Sequence, residues 1–293
     1  TLAPDQIEPE RGVILSEKRA RDTPRSRYRD RMLEFLLPGS RHVERDPIGI
    51  EEVIRTAPRE RFAAFYRDYY TPERSVVIVT GDVDVAAVRA IIEQRFGGFA
   101  QPTDAPGDPT FPPIAERGLD ATLISDPGLP TTVSLNRVLP YVDRPDTVEN
   151  QRRMWREVFA GSMLGRRLDL IGLQPGAPFS GAGAGVSDLP KAARLATIQL
   201  TTTPETWRAA LGVAEQELRR ALAYGFSQVE LEEMAASFRS RLQALAAGQS
   251  TRETSDLAEQ LVVVIADDNV FSTPETDLVL FDEMVAGLTP ADV

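Results

Sequence analysis

A proline-rich segment about a third of the way along the sequence constrains the fold most, because it divides the chain into two parts. Residues 101–113 contain five prolines and one glycine, which interrupt both helices and strands. A chain of 293 residues is long enough for two ordinary domains. We therefore predict a first domain over residues 1–100, a linker over 101–117 and a second domain over 118–293.

The order of the predicted elements indicates an α+β fold. Before the linker, helix signals dominate and the β-branched run 75–80 is the clearest strand. After the linker, strands come first and helices cluster late, which favours helices on one face of a largely antiparallel sheet over a Rossmann or barrel fold. Residues 41–49 are predicted as a loop. The predicted helices are 9–18, 24–37, one opened by 56–58, one capped by Asp84, 147–170, two that begin near 204 and 227, 253–265 and 274–285. The further predicted strands are 121–125, 131–139, 177–186 and 195–202.

Composition excludes several classes of protein. The net charge of −11 argues against nucleic-acid binding, which needs clustered Lys and Arg. The chain has no cysteine, so disulfides, thiolate metal sites and cysteine nucleophiles are excluded. No apolar run reaches about 18 residues, so we expect no transmembrane helix. The start, Thr1 to Pro4, lacks the basic and apolar parts of a signal peptide, and we expect a mature or truncated start.

Two groups of polar residues are candidates for a metal site. Glu8 and Glu10 stand near the start of a predicted helix, where carboxylates also compensate the helix dipole. The single histidine, His42, would share one face with Glu44 and Asp46 if that segment were extended. A lone histidine among charged residues is more typical of a solvated loop, and no second histidine exists to complete a catalytic zinc set.

Two other patterns have plainer interpretations. The glycine-rich stretch 176–186 matches neither phosphate-binding loop motif and favours a strand of small residues against which another element packs closely. An aromatic cluster at helical spacing is predicted as helix core rather than as a ligand platform. Its members are Phe62, Phe65, Tyr66, Tyr69 and Tyr70.

Several motifs together resemble the insulinase/pitrilysin/mitochondrial processing peptidase family of zinc metalloproteases. The segment 8–17, with Glu8-x-Glu10-Arg11, is similar to the family's third-ligand helix. The segment 46–54 resembles its P-x-G-x-x-E-x-I turn and helix, and 65–84 resembles its F-Y-x-x-x-Y-x-P stretch leading into V-V-G-D-V-D. The segment 178–189 resembles a strand and turn of the domain that follows. The resemblance covers nearly the whole chain.

The resemblance implies two mitochondrial-processing-peptidase-like (LuxS/metallohydrolase-like) domains, the second without a metal site. It implies a zinc metalloendopeptidase that cleaves peptides in a closed chamber, with Glu8 as the third zinc ligand. Pro9 departs from the family pattern, places Glu8 near the helix start and leaves Glu10 as a second candidate. The family's H-x-x-E-H helix, with two histidine ligands and the general base, would precede this segment. We therefore expect zinc in the complete protein but none in this chain alone, and we assign no catalytic residue here.

Two functional readings follow from that resemblance. The first is part of a peptidase that works with the missing N-terminal segment and a second domain pair or partner subunit. The second is a non-catalytic subunit or chamber wall that binds peptide beside a catalytic partner. A scaffold without a peptide role is a third alternative. The lack of cysteine, together with the periplasmic location of many bacterial members of the family it resembles, leads us to expect a periplasmic location.

Overall fold

The computed structural model describes residues 2–100, 106–107, 110–112, 114, 117–189 and 191–293. The chain forms two compact units, Thr1–Gly128 and Leu129–Val293. The predicted linker 101–117 lies mostly outside the described residues. The predicted boundaries at 100 and 118 therefore stay predictions, and residues 118–128 group with the first unit.

The first unit consists of short helices. They are α1 (Pro4–Arg21), α2 (Pro24–Leu36), α3 (Arg41–Glu44), α4 (Glu51–Thr56), α5 (Arg59–Tyr69) and α6 (Val85–Phe96), with a 3₁₀ turn at Pro72–Arg74. Helix α2 begins at a capping box in which Thr23 and Ser26 satisfy each other's backbone N–H groups. The Asp84 side chain accepts a hydrogen bond from the Ala87 N–H, as predicted for the cap of α6.

Three predictions for this unit were wrong. Helix α1 begins at Pro4 rather than at Pro9, so that Pro9 lies inside the helix. Residues 41–44 form α3 instead of a loop. Residues 75–80 form no strand, because within the described residues no other strand lies beside them to complete a ladder.

The aromatic face of α5 was also predicted wrongly. Phe65, Tyr66 and Tyr70 are each more than half exposed, and only Phe62 and Tyr69 are partly covered. The described core of this unit is small and consists of Leu15, Leu36, Leu37, Ile54 and Ala57, with the buried Thr71. The residues predicted as core thus remain at the surface because the described part of the unit offers nothing to pack on them.

The second unit carries a three-stranded antiparallel sheet in the order β1-β3-β2. Its elements are β1 (Thr132–Pro140), α7 (Val148–Gly172), β2 (Phe179–Leu189), β3 (Ala193–Thr202), α8 (Trp207–Tyr224), α9 (Gln228–Ala247), α10 (Thr254–Ala266) and α11 (Pro274–Val285). Ile198 and Leu200 of β3 point toward α7 and α8, with Leu164, Leu168 and Ala210. A second cluster joins Phe159 of α7 to Leu231 of α9 and Phe281 of α11. The α+β class is thus confirmed. The predicted strand 121–125, which falls in the first unit, does not form.

Candidate functional site

The predicted zinc ligand Glu8 lies in the second turn of α1, on the same face as Arg11 and Leu15. These residues follow the i, i+3, i+7 spacing that aligns side chains along one side of a helix. The Glu8 side chain is 73% exposed, and its Oε1 is 3.1 Å from Arg11 Nε. A carboxylate this exposed to solvent gains little from its ion pair, so Glu8 is held only weakly.

Arg11 fixes the position of α1 on the rest of the first unit. Its side chain is 12% exposed. Its guanidinium donates hydrogen bonds to the carbonyl oxygens of Ile54 and Ala57, the latter at 2.6 Å, and lies 5.3 Å from the centre of the Phe62 ring. Lys18 Nζ adds a hydrogen bond to the Gly49 carbonyl at 3.0 Å. Arg11 and Lys18 therefore connect α1 to the residues at the two ends of α4.

Pro9 does not occupy the helix start that the sequence predicted. Pro9 is the sixth residue of α1, where a proline removes one backbone hydrogen bond and crowds the preceding turn. Glu10 is exposed and lies two residues from Glu8, about 200° around the helix. The two carboxylates therefore point to different sides of α1, and a single metal ion would meet one or the other.

His42 is half-buried rather than solvated. Its ring centre lies 5.5 Å from that of Phe111, and its buried Nδ1 has no hydrogen-bond partner among the described residues. Because α3 is helical, His42 and Glu44 project to different sides, so the extended arrangement with Asp46 does not form. The structure thus does not bring this predicted trio together.

The described residues alone do not fit a catalytic zinc ion. Such a site needs three protein ligands. Across the part of the chain that the structure describes, no three His, Asp or Glu side chains converge in a geometry that could hold a metal. Among the described residues, Glu8 forms an ion pair with Arg11, whose positive charge would oppose a metal ion at that carboxylate.

The glycine-rich stretch forms β2 and packs closely against α7, as its composition predicted. A Cβ at Gly161 of α7 would lie 2.8 Å from Gly185 Cα and 3.1 Å from the Ala184 oxygen. A Cβ at Gly165, one turn on, would lie 3.5 Å from the Ala184 nitrogen. Small residues on both elements therefore allow backbone-to-backbone contact, and the stretch needs no phosphate to explain it.

Arg167 of α7 forms a polar cluster that the sequence did not reveal. Its guanidinium hydrogen-bonds both carboxylate oxygens of Glu230, donates to the Gly225 carbonyl at 3.0 Å and lies 4.6 Å from the centre of the Phe226 ring. The hydrogen bonds from Arg167 are the main reason that the pKa of Glu230 falls to about 2. The sequence revealed the other half of this cluster, since Ser227 and Glu230 form the predicted capping box of α9.

A cavity of about 640 Å³ opens beside this cluster. Arg167, Glu217, Arg220, Tyr224 and Glu230 contribute its polar lining. Glu217 is only 7% exposed, and its carboxylate lies 3.6 Å from Arg220. Two arginines and two glutamates line the cavity, so the formal net charge of its lining is zero.

Comparison with known proteins decides the family. A family model described as "Peptidase M16 inactive domain" matches residues 56–238, more than half of the chain. The chain belongs to the peptidase M16 family. This confirms the resemblance to zinc metalloproteases of the insulinase type.

Two curated relatives and one solved structure illustrate the likeness. The probable zinc protease PqqL of Haemophilus influenzae is 37% identical over 95 residues, which are 32% of this chain and 10% of that protein. The zinc protease PQQL-like protein of Arabidopsis thaliana is 28% identical over 180 residues, 61% of this chain and 19% of that protein. The crystal structure of the first half of the periplasmic protease PqqL from Escherichia coli matches with a TM-score of 0.89 and 22% identity, over 99% of this chain and 62% of that one.

These relatives are much longer than the chain. It spans between a tenth and a fifth of the two curated proteins, so their activity as whole proteins does not transfer to it directly. The solved structure shows the fold alone, since its sequence identity is low. None of the helices in the described part of this M16 chain is long and apolar enough to cross a bilayer.

Proposed function

We propose that this chain is part of a zinc-dependent metalloendopeptidase that cleaves peptides or unfolded segments in a closed chamber. The family match over residues 56–238 carries the proposal, and the two curated relatives described above are named zinc proteases. The periplasmic protease PqqL shares the fold, which supports a periplasmic location for the complete protein.

Glu8 is the residue of this chain that we propose as a zinc ligand. It lies in the segment that resembles the family's third-ligand helix, and its side chain is exposed on the stripe of α1 that Arg11 and Leu15 orient. The remaining ligands and the general base would come from an H-x-x-E-H helix elsewhere in the longer polypeptide. A zinc ion held in this way would lower the pKa of bound water, which is the chemistry that peptide hydrolysis needs.

The exposed apolar side chains of the first unit are a further argument that it packs against additional polypeptide. Val76, Val77 and Val79 are about half exposed in an extended segment, which is the composition of a strand buried on both faces. The aromatic face of α5 is exposed in the same unit. Burying these side chains requires further chain, and a peptidase domain that this unit completes would supply it.

Substitution of the two candidate carboxylates in the complete gene product tests the proposal. We expect Glu8→Gln to lower bound zinc and the hydrolysis of a fluorogenic peptide at least about a hundredfold, because one of three ligands is lost. Glu10→Gln is the matched control, since it removes an equal charge two residues away on the other side of α1 and should change neither. Atomic absorption after dialysis measures the zinc.

Two outcomes would contradict the proposal. One is a complete gene product that lacks H-x-x-E-H and binds no zinc. The other is equal zinc content and equal activity in the Glu8 and Glu10 variants, which would remove Glu8 from the site. Stoichiometric zinc in the 293-residue chain by itself would contradict the expectation that it holds none.

The edge of the sheet supports a second candidate function, a non-catalytic chamber wall that binds peptide. Strand β2 forms one edge of the three-stranded sheet, and within the described residues its outer side pairs with no other strand. An extended peptide could add a strand there through backbone hydrogen bonds. Calorimetry with an unstructured peptide tests for binding, and hydrogen exchange should then slow in β2 but not in α8. Peptide binding by a gene product without H-x-x-E-H would favour this function.

A further inference from the structure

Nearly all the net charge of this protein is concentrated in its last 41 residues. Residues 253–293 contain ten Asp and Glu and no Lys, Arg or His, whereas the whole chain has a net charge of −11. This segment comprises α10 and α11. Asp282 of this segment forms an ion pair, with its Oδ1 2.7 Å from Arg239 Nε.

Helix α10 exposes acidic and apolar side chains on the same face. Its inner side chains, Leu257, Leu261 and Val264, are half-buried, and none of its thirteen residues, all described, is fully buried. On the opposite face Asp256, Glu259 and Val263 follow at i, i+3 and i+7, with Val262 beside them. Val262 and Val263 are 55% and 58% exposed. We call the four residues Asp256, Glu259, Val262 and Val263 the α10 surface.

The loop after α10 is fixed by a hydrogen bond to Asp146, and it also combines acidic residues with an exposed valine. The Val270 N–H donates to Asp146 Oδ2 at 2.9 Å, and Asp146 also accepts a hydrogen bond from Gln151 of α7. Val270 itself is 68% exposed, and Asp267 and Asp268 stand between it and the helix. Val270 is therefore fixed through its backbone N–H, and two acidic residues precede it in the loop.

We propose that the α10 surface is a docking site for a cationic amphipathic segment of a partner polypeptide. The exposed valines would bury apolar side chains, and the carboxylates, which lack ion-pair partners in the described residues, would pair with Lys or Arg of the partner. A second copy of the chain would bring the same acidic face against itself, and an anionic lipid surface would be repelled. The inference does not depend on zinc or on peptide cleavage.

A binding measurement on the 293-residue protein tests this proposal. The probe is a fluorescent helical peptide of Leu and Lys, and the comparison is the same peptide with Glu in place of Lys. We expect the cationic peptide to bind at least about tenfold more tightly than the anionic one, with an affinity that falls as salt rises. Equal affinity for both peptides would overturn the proposal.

Two double variants locate the site. Asp256→Asn with Glu259→Gln removes charge, Val262→Ser with Val263→Ser removes apolar area, and each should weaken binding by about tenfold. The control pair is Glu215→Gln with Leu222→Ser on α8, where Leu222 is 79% exposed, and it should bind as the wild type does. Both α10 variants change exposed residues, whereas Glu215 of the control pair is partly exposed and pairs with Arg219. Circular dichroism checks that all three variants are folded.

Two further results would count against the proposal. Unchanged binding in both α10 variants would place the peptide elsewhere. Sedimentation velocity that showed a dimer of the wild type, dispersed by the Val262 and Val263 substitutions, would assign the surface to a second copy instead.

Discussion

At the scale of single residues, two arginines connect elements through contacts that their sequence positions do not predict. Arg11 joins α1 to the carbonyl groups at the end of α4, and Arg167 joins α7 to the turn that begins α9. Each is mostly covered, and each satisfies backbone carbonyls as well as a carboxylate. A buried guanidinium with several partners orders its surroundings more than an exposed pair does.

The Arg167–Glu230 pair predicts an acid-dependent loss of stability. The pKa of Glu230 in the folded protein is about 2, below its ordinary 4.5, mainly because Arg167 hydrogen-bonds the ionised form. This contribution is complete above pH 4.5 and is lost as the pH falls through about 2. Glu230→Gln should lower the free energy of unfolding at pH 7 by about 1–3 kcal/mol and flatten its pH dependence in that range.

Urea unfolding followed by tryptophan fluorescence measures this effect. Trp155 and Trp207 are the two tryptophans of the chain, and both lie in the second unit. Glu233→Gln is the control, because Glu233 pairs with Arg166 at the surface and should change stability by less than about 0.5 kcal/mol. Equal losses in the two variants would show that the pair does not act as described.

At the scale of elements, the contact between α7 and β2 rests on residues without side chains. Gly161→Ala would place a Cβ 2.8 Å from Gly185 Cα, and backbone cannot yield as a flexible side chain does. We expect a loss of about 1–3 kcal/mol in urea unfolding. Gly212→Ala in the exposed part of α8 meets open space among the described residues and should instead stabilise by about 0.5–1 kcal/mol. Destabilisation by both would point to a general intolerance of alanine.

The elements also show how far sequence patterns reach. The predicted helix 274–285 matches α11, and the Ser227–Glu230 capping box begins α9, because caps and apolar spacing are local signals. The run 75–80 has a strand's composition and still forms no strand. A strand depends on a neighbour that is distant in sequence, and composition cannot report whether that neighbour is present.

At the scale of the molecule, the two units differ in how many large apolar side chains they bury. The first buries few large side chains and exposes its valine run and aromatic face, whereas the second has two hydrophobic clusters. We expect thermolysin to cleave first near Val76, Val77 and Val79 and to leave a fragment close to 129–293, since local opening follows sparse apolar packing. Mass spectrometry identifies the cuts. Simultaneous degradation of both units would contradict this difference.

The sequence by itself determined the family, the α+β class, the helix caps and the small-residue contact of the glycine-rich stretch. These features depend on residue types at short, fixed spacings. Only the tertiary structure decided that His42 packs against Phe111, that Arg167 pairs with Glu230 and that the valines of 75–80 stay exposed. Each of these features depends on which segments distant in sequence come into contact, and local residue patterns do not specify such contacts.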